Sequence, residues 1–202
     1  MSVIRPYRAS DRDDVYEICV RTGDSGGDAT GKYSSDDLLP DIFAGPYLAY
    51  QPDLAFVVDT GEHVAGYVIG VADSRAYADW YDEAWLPGFV AHHPLDAASS
   101  DDERSIIGIG LDPRGSIVPE VEDYPAHLHI DLLPELQGQG FGRALIRRML
   151  GELRVRGVPG LYLTMSSSNR SARAFYDRLG FRDLPSSSSD GPALAIATDA
   201  EV

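Results

Sequence analysis

The sequence predicts a mixed α/β fold, and three features of the chain point to it. From residue 126 onward, the apolar pattern changes in the order strand, glycine-rich loop, helix, strand, helix and two closing strands. Residues 54–59 and 66–71 are strand-like and flank the turn 60–62, which is typical of a β-hairpin. The 202 residues are 44% hydrophobic, which is enough to bury a large core, and no repeat or linker divides them. We therefore expect residues 1–202 to form a single domain.

The N-terminal part predicts one strand and two helices. Residues 3–7 have the pattern of a short first strand. Ser10 followed by Asp13 resembles a capping box, which would start a helix over residues 11–21. Residues 36–43 can form a second, short helix.

Residues 73–124 differ from the rest of the chain because they are rich in aromatic residues and broken by prolines. We expect an insertion with one or two helices, of which the second would begin at Ser99 or Ser100 as N-cap. The aromatic side chains could line a binding groove or simply pack the insertion onto the sheet, and the sequence leaves both open. They are Tyr77, Trp80, Tyr81, Trp85 and Phe89.

The C-terminal part predicts the remaining elements. A helix over residues 141–156 has Leu145, Met149 and Leu153 on one stripe, which should pack on the sheet. Gly180 lies where a left-handed C-cap would close the last helix. The other predicted elements are a strand over residues 127–133, a strand over residues 161–165, a helix over residues 171–179 and a closing hairpin with its loop at residues 186–192.

The charge balance is strongly acidic, with 17 Lys and Arg against 32 Asp and Glu and a formal net charge of −15. Such a surface repels phosphate backbones, so nucleic acid is excluded as an expected partner. It would attract a cationic amine or a basic peptide, although acidic surfaces often serve solubility alone. The apolar runs fall short of the roughly 20 residues that a membrane helix needs, and the single Cys19 cannot form an internal disulfide. We expect a cytoplasmic protein, either a monomer or a homodimer.

A glycine-rich loop at residues 137–142, Gln-Gly-Gln-Gly-Phe-Gly, lies between a predicted strand and a predicted helix. Such a loop directs several backbone N–H groups and the positive end of the helix dipole at one point, where an anion binds. Glycine is needed because a side chain would block phosphate oxygens or forbid a positive φ. The loop lacks the Lys-Ser/Thr ending of a nucleoside-triphosphate loop and comes too late for the usual dinucleotide motif. Taken alone, it could also be an ordinary tight turn.

A second motif follows at residues 169–181, where an Asn precedes a helix that carries a Phe-Tyr pair and ends in Leu-Gly-Phe. Together the two motifs resemble those of the GNAT acyltransferases, closely over residues 126–181 and loosely over the whole chain. Residues 66–70, 85–87 and 129–134 are in addition similar to the acetyltransferase-like C-terminal domain of O-GlcNAcase and its free-standing bacterial relatives.

The resemblance implies acetyl-CoA as the cofactor and a GNAT fold. That fold has a central, mostly antiparallel twisted sheet of about seven strands, splayed at the fourth and fifth strands and flanked by helices. The aromatic-rich residues 73–124 would then be a helical insertion before the fourth strand.

The resemblance also implies roles for individual residues. Leu132 and Leu133 would offer free backbone groups to the pantetheine arm, or else belong to a plain core strand. Asn169 would contact the cofactor, or only cap its helix. Tyr176 would protonate the leaving thiolate, since a phenol with a pKa near 10 suits a general acid, or else be a half-buried tyrosine without such a role. The pyrophosphate would bind the loop residues Gln137, Gly138, Gln139, Gly140, Phe141, Gly142 and Arg143.

Asp131 is the first candidate for the base that removes the ammonium proton of the acceptor, or for the group that holds the acceptor. Strand alternation places Asp131 on one face with His127 and His129. An Asp in mid-strand is disfavoured and asks for a reason, but as a structural carboxylate with an ordinary pKa it would be a weak base. His129 could share the role through its near-neutral pKa. Two His and one Asp on one strand are too little for a zinc site, so no metal is expected.

The sequence therefore predicts acetyl transfer from acetyl-CoA to an unidentified acceptor, preferably an amine, by direct attack without a covalent enzyme intermediate. Two alternatives stay open. A catalytically weak or inactive acetyl-CoA-binding or protein-interaction module predicts cofactor binding without turnover. A binder of another nucleotide or anion predicts no preference for CoA over other phosphates.

Overall fold

A seven-stranded sheet forms the centre of the computed structural model, which describes residues 2–202. In chain order its strands are β1 (Val3–Pro6), β2 (Ala55–Asp59), β3 (Val64–Val71), β4 (Ala126–Leu132), β5 (Gly160–Thr164), β6 (Arg182–Asp183) and β7 (Ala193–Ala197). Their order in the sheet is β1-β2-β3-β4-β5-β7-β6, and β4 and β5 are parallel while the other neighbours are antiparallel. The predicted mixed, mostly antiparallel sheet and its β2–β3 hairpin are confirmed.

Helices cover both faces of the sheet. They are α1 (Arg12–Thr22), α2 (Pro40–Phe43), α3 (Gly45–Tyr50), α4 (Ser74–Trp80), α5 (Leu86–His92), α6 (Asp101–Leu111), α7 (Phe141–Val155) and α8 (Arg170–Leu179). The predicted stripe of α7 packs on the sheet, since Leu145, Met149 and Leu153 are fully buried. Gly180 has a φ of +90° and closes α8 as the predicted C-cap. Within residues 2–202, no helix combines the length and apolar character needed to cross a bilayer.

The parallel strands β4 and β5 separate soon after they meet. Their pairing covers only Ala126 with Leu161 and His127 with Tyr162. Strand β4 then continues to Leu132 with β3 as its remaining neighbour. The predicted splay at the fourth and fifth strands is therefore confirmed, and it opens one edge of β4 toward α8.

The insertion before β4 contains three helices, α4 to α6, instead of the expected one or two. A π-helical turn at Tyr81–Trp85 joins α4 to α5. Ser100 is the N-cap of α6, and its hydroxyl accepts a hydrogen bond from the N–H of Glu103. Most of the insertion's aromatic side chains pack inward: Tyr77, Tyr81 and Phe89 are at most 5% exposed.

Two predictions for the N-terminal helices are wrong in detail. Ser10 lies inside a short 3-10 turn and does not cap α1, whose N-cap is Asp11. The Asp11 carboxylate is held instead by the Arg5 guanidinium at 2.6 Å and by the N–H of Arg8 at 2.8 Å. The second helix is α2, which begins only at Pro40, because proline suits the first helical turn and residues 36–39 form turns.

Candidate functional site

The glycine-rich loop between β4 and α7 forms a cradle of free backbone donors. The N–H groups of residues 138–143 make no hydrogen bond to any other group within residues 2–202. Gly138 and Gly140 have φ values of +73° and +87°, which favour glycine. Free N–H groups at a helix N-terminus, aligned with the helix dipole, make an anion-binding site. The loop geometry therefore fits the predicted pyrophosphate site.

Gly142 is packed closely against α8 and the end of β4. A Cβ placed on Gly142 would lie 3.0 Å from the Phe175 ring and 3.4 Å from Leu132. Gly142 therefore lets α7 approach α8 and the end of β4. A positive φ, one of the two reasons given for this glycine from the sequence, does not apply to Gly142, whereas a clear path for phosphate stays a prediction.

The two glutamine side chains tie the loop to the preceding chain. The Nε2 group of Gln137 donates to the carbonyl of Leu132 at 3.0 Å, and that of Gln139 donates to the carbonyl of Glu135. Phe141 is half-buried in the first turn of α7. Arg143 is exposed and has no ion pair within residues 2–202, so its guanidinium is available to an anion.

The free edge of β4 includes Leu132, as expected, but not Leu133. The Leu133 N–H donates to the carbonyl of Ala65 at 2.9 Å, so it is not free, and the prediction of a free backbone donor at Leu133 is wrong. Antiparallel pairing with β3 alternates along the strand, so the backbone groups of Ile130 and Leu132 face the splayed side. These residues, and not Leu133, carry the backbone edge that a ligand can reach.

Asp131 lies on β4 beside the C-terminal half of α1. Its Oδ2 accepts a hydrogen bond of 2.6 Å from the hydroxyl of Tyr67, which is fully buried. Burial raises the pKa of Asp131, and the hydrogen bond from Tyr67 opposes that rise. The carboxylate is thus a stronger base than an ordinary aspartate.

His129 and His127 are joined by a hydrogen-bonded chain that fixes their tautomers. The Ser74 hydroxyl donates its hydrogen to the carbonyl of Pro125 at 2.7 Å. Its oxygen therefore accepts a hydrogen bond from the Nδ1–H of His127, also at 2.7 Å. Nε2 of His127 then accepts from the Tyr47 hydroxyl at 2.8 Å, and the Tyr47 oxygen accepts from Nε2 of His129 at 3.0 Å. The remaining ring nitrogen of His129, Nδ1, is left as an acceptor.

Burial keeps both imidazoles uncharged. It lowers the pKa of His129 to about 4 and that of His127 to about 3, with the His129 charge as a second cause for His127. His129 is therefore a hydrogen-bond acceptor at neutral pH and a weaker base than the sequence suggested. Tyr47, which the sequence analysis missed, lies 80 residues from His127 along the chain, and no local pattern signals that contact.

Asn169 is the N-cap of α8. Its Oδ1 accepts from the Ala172 N–H and from the Ser171 hydroxyl, both at 3.0 Å. The capping role is confirmed, and the contact with a cofactor stays a prediction that rests on the amide Nδ2. The loop after α1 reaches this point, since the hydroxyls of Ser25 and Ser168 lie 2.9 Å apart.

Tyr176 is 7% exposed and packs its ring against Phe175 and Phe181. Its hydroxyl makes no hydrogen bond within residues 2–202. Every side-chain N or O atom of these residues that is fully shielded from solvent does have a hydrogen-bond partner. The hydroxyl therefore keeps contact with solvent. Burial, and then the charge of Asp131, raise the pKa of Tyr176, so the hydroxyl keeps its proton at neutral pH.

No group of three or more His, Cys, Asp or Glu side chains within residues 2–202 is arranged to hold a metal ion. The predicted site residues lie on β4, on the glycine-rich loop with the first turn of α7, and on α8, where Asn169 is the N-cap and Tyr176 is in the second half of the helix.

A model of the Acetyltransferase (GNAT) family matches residues 26–181, well over half of the chain. The protein belongs to the GNAT acetyltransferase family, as the two motifs indicated. A structure described as that of SsHAT is similar over 99% of both chains, with 43% identity and a TM-score of 0.90. A putative acetyltransferase from Salmonella typhimurium, solved with its cofactor acetyl-CoA, shares the fold at 16% identity over 99% of this chain and 95% of its own, with a TM-score of 0.55.

Two kinds of curated protein are among those similar to this chain. Protein O-GlcNAcase of Rattus norvegicus is 22% identical over 180 residues, which are 88% of this chain and 20% of the rat protein. The chain thus spans about a fifth of the length of that relative. The [ribosomal protein bS18]-alanine N-acetyltransferase of Escherichia coli K12 is 40% identical over 68 residues, which are 34% of this chain and 46% of that protein. The likeness to O-GlcNAcase predicted from the sequence is confirmed.

Proposed function

We propose that this protein transfers the acetyl group of acetyl-CoA to an amine acceptor by direct attack. The observation that carries the proposal is the run of free N–H groups at residues 138–143, at the N-terminus of α7. A pyrophosphate would satisfy these donors and benefit from the helix dipole. Membership of the GNAT family supports acetyl-CoA as the ligand that brings this pyrophosphate.

The rest of the cofactor would follow the opening between β4 and β5. The pantetheine amides would pair with the free edge at Ile130 and Leu132, as an added strand would. The Leu132 carbonyl is already bonded to Gln137, so the ligand would compete for it or use its second lone pair. Nδ2 of Asn169 would donate to the cofactor from the start of α8, and the exposed Arg143 would face the phosphates.

The chemistry would need one base and one acid. Asp131, whose pKa is raised by burial, would take the ammonium proton so that the neutral amine attacks the thioester carbon. The tetrahedral intermediate would then expel the CoA thiolate, which Tyr176 would protonate from its solvent-accessible hydroxyl. The amine nitrogen would lose its second proton to solvent, from which Tyr176 would regain a proton, and Asp131 would release the proton that it took. Nδ1 of His129 would accept a hydrogen bond from the acceptor and orient it. The products are the acetylated amine and free CoA.

A thiol-release assay tests the proposal. Wild-type protein with acetyl-CoA would be screened against lysine peptides, peptides with a free N-terminal amine and polyamines. With the best acceptor, we expect Tyr176→Phe to lower kcat by about 10²-fold while the KM for acetyl-CoA is unchanged. Tyr81→Phe is the matched control, because Tyr81 is buried and its hydroxyl bonds the carbonyl of Gly110 in the insertion.

Acetyl-CoA binding without thiol release for any amine would contradict the proposed transfer and favour a cofactor-binding module. A Tyr176→Phe variant as active as Tyr81→Phe would remove the proposed acid. The cytoplasmic location and the choice between monomer and homodimer stay predictions of the sequence.

A further inference from the structure

A second cleft, of about 450 Å³, lies between α1, α2 and α5. It shares no lining residue with the glycine loop or with the strand β4. The side chains that matter for its chemistry are Arg12, Asp37, Asp41, Trp85 and His93. The cleft is built jointly by the N-terminal helices and by the insertion, and nothing in the proposed transfer reaction uses it.

The polar centre of the cleft is a hydrogen-bonded pair, Asp41 and His93. The His93 side chain is 6% exposed, and its Nε2 lies 2.9 Å from Oδ2 of Asp41. The other Asp41 oxygen accepts from the Tyr16 hydroxyl at 2.8 Å, and burial and this hydrogen bond raise the pKa of Tyr16 so that it keeps its proton. A carboxylate oxygen accepts from the ring nitrogen that it faces, so Nε2 of His93 donates to Asp41, and in the neutral imidazole Nδ1 then has a lone pair.

The lone pair on Nδ1 of His93 is open to the cleft. Nδ1 makes no hydrogen bond within residues 2–202. Because every side-chain N or O atom there that is fully shielded from solvent has a partner, Nδ1 is not fully shielded. The largely buried His93 therefore offers one unpaired acceptor nitrogen at the cleft. Its ligand must bring a hydrogen-bond donor.

From this geometry we propose that the cleft binds an alkylammonium group, which would donate to Nδ1 of His93. Trp85 forms part of the wall, with its indole N–H fixed to the carbonyl of Asp41 at 2.9 Å, and its ring face can stabilise a cation. Asp37 is exposed at the rim and has no ion pair within residues 2–202, so its carboxylate is free to pair with the ligand.

The local charges favour a cation despite one arginine. Arg12 also lines the cleft, but its guanidinium stacks on the Tyr16 ring at 3.8 Å and lies 3.8 Å from Asp13. The chain as a whole has a formal charge of −15, which raises the local concentration of cations. An ammonium group can come from a free polyamine or from a lysine side chain of a peptide, and both sources share this chemistry.

The cleft lies close to the proposed transfer site without being part of it. Asp41 and Phe43 are on the same short helix α2, and the Phe43 ring lies 5.5 Å from the ring of His129. Binding can be measured without acetyl-CoA, so this inference does not rest on the transfer reaction, and its failure would leave that reaction untouched.

The test is a two-dimensional ¹H–¹⁵N NMR titration that follows the indole N–H signals of Trp85 and Trp80. The probes are spermidine, the peptide acetyl-Gly-Lys-Gly-amide and its norleucine analogue, which lacks the ammonium group. Gly88→Leu is the blocking variant, because Gly88 lines the cleft inside α5 and an added Cβ there meets nothing within 4 Å. Gly108→Leu is the matched control on α6, where an added Cβ is equally free of contacts.

We expect at least one cationic probe to shift the Trp85 signal in a saturable way, while the norleucine peptide does not. Gly88→Leu should weaken that binding at least about tenfold, Asp37→Asn about threefold, and Gly108→Leu should leave it unchanged. Saturation by spermidine alone or by the lysine peptide alone identifies the source of the ammonium group. No shift with either cation, equal shifts with the norleucine peptide, or equal loss in both leucine variants would overturn the proposal.

Discussion

The burial of Asp131 both lowers the stability of the fold and supports its proposed role as a base. Burial disfavours its charged form, and the hydrogen bond from Tyr67 compensates only in part. The same burial brings its pKa closer to neutrality, which suits a base that must take a proton from an ammonium group. A partly buried carboxylate in mid-strand is retained at a cost in free energy of folding.

Replacing Asp131 by Asn should therefore stabilise the protein at neutral pH. The pKa of Asp131 is higher in the folded protein than in the unfolded chain. Its protonation therefore contributes fully to the free energy of unfolding below the pKa of the unfolded chain, and this contribution is lost as the pH rises through the pKa of the folded protein. We expect Asp131→Asn to add on the order of 1 kcal/mol to the free energy of unfolding at pH 7 and little at pH 3, while thiol release is lost. Urea unfolding at both pH values measures this, with the exposed Asp199→Asn as control. A variant destabilised at pH 7 would show that the charge is favourable where it lies.

The imidazoles of His127, which is buried, and His129, which is partly buried, should make the fold sensitive to acid. Their pKa values, about 3 for His127 and about 4 for His129, lie below the usual 6.5, so the unfolded chain binds protons first. Stability is then complete above pH 6.5 and falls as the pH drops toward 4. The double variant His127→Gln/His129→Gln should reduce the slope of unfolding free energy against pH in this window, whatever its absolute stability. An unchanged slope would contradict the buried, uncharged pair.

At the scale of elements, Gly142 determines how closely α7 approaches α8. A methyl group there would press on Phe175 at 3.0 Å. We expect Gly142→Ala to cost about 1–3 kcal/mol of stability and Phe175→Leu to recover part of that loss in the double variant. Gly151→Ala is the control, because its Cβ meets nothing within 4 Å in the same helix and alanine favours helix. Thermal unfolding of the four variants decides: additive effects would contradict the proposed contact.

Elements whose signals are local could be predicted from the sequence. The apolar stripe of α7, the Ser100 cap and the Gly180 cap all depend on residues within about one helical turn. The Ser10 cap failed because a distant group intervened: Arg5 draws Asp11 into an ion pair, and the chain forms a 3-10 turn before α1 starts. A local pattern cannot show such competition.

At the scale of the whole molecule, the sheet brings together residues that the sequence keeps apart. The face with His127, His129 and Asp131 follows from alternation, but Tyr47 and Tyr67, which set the tautomer and the hydrogen bonding, arrive from other elements. The pairing of Leu133 with Ala65 depends on the register between β4 and β3, so the sequence could not show that the free edge excludes Leu133 and includes Ile130 beside Leu132. The sequence alone does not show the register between strands that are far apart along the chain.

The central claim is that the free N–H groups of residues 138–143 bind the pyrophosphate of acetyl-CoA, and calorimetric titration tests it most directly. The ligands are acetyl-CoA, CoA and ATP. The variant is Gly140→Trp, whose side chain would fill the cradle, and the control is Gly157→Trp, because both glycines have a positive φ and no atom within 4 Å of an added Cβ. We predict that wild type and Gly157→Trp bind acetyl-CoA and CoA but not ATP, and that Gly140→Trp loses at least about tenfold in affinity. A wild-type protein that binds neither CoA compound, or a Gly140→Trp variant that binds as tightly as Gly157→Trp, would contradict the claim.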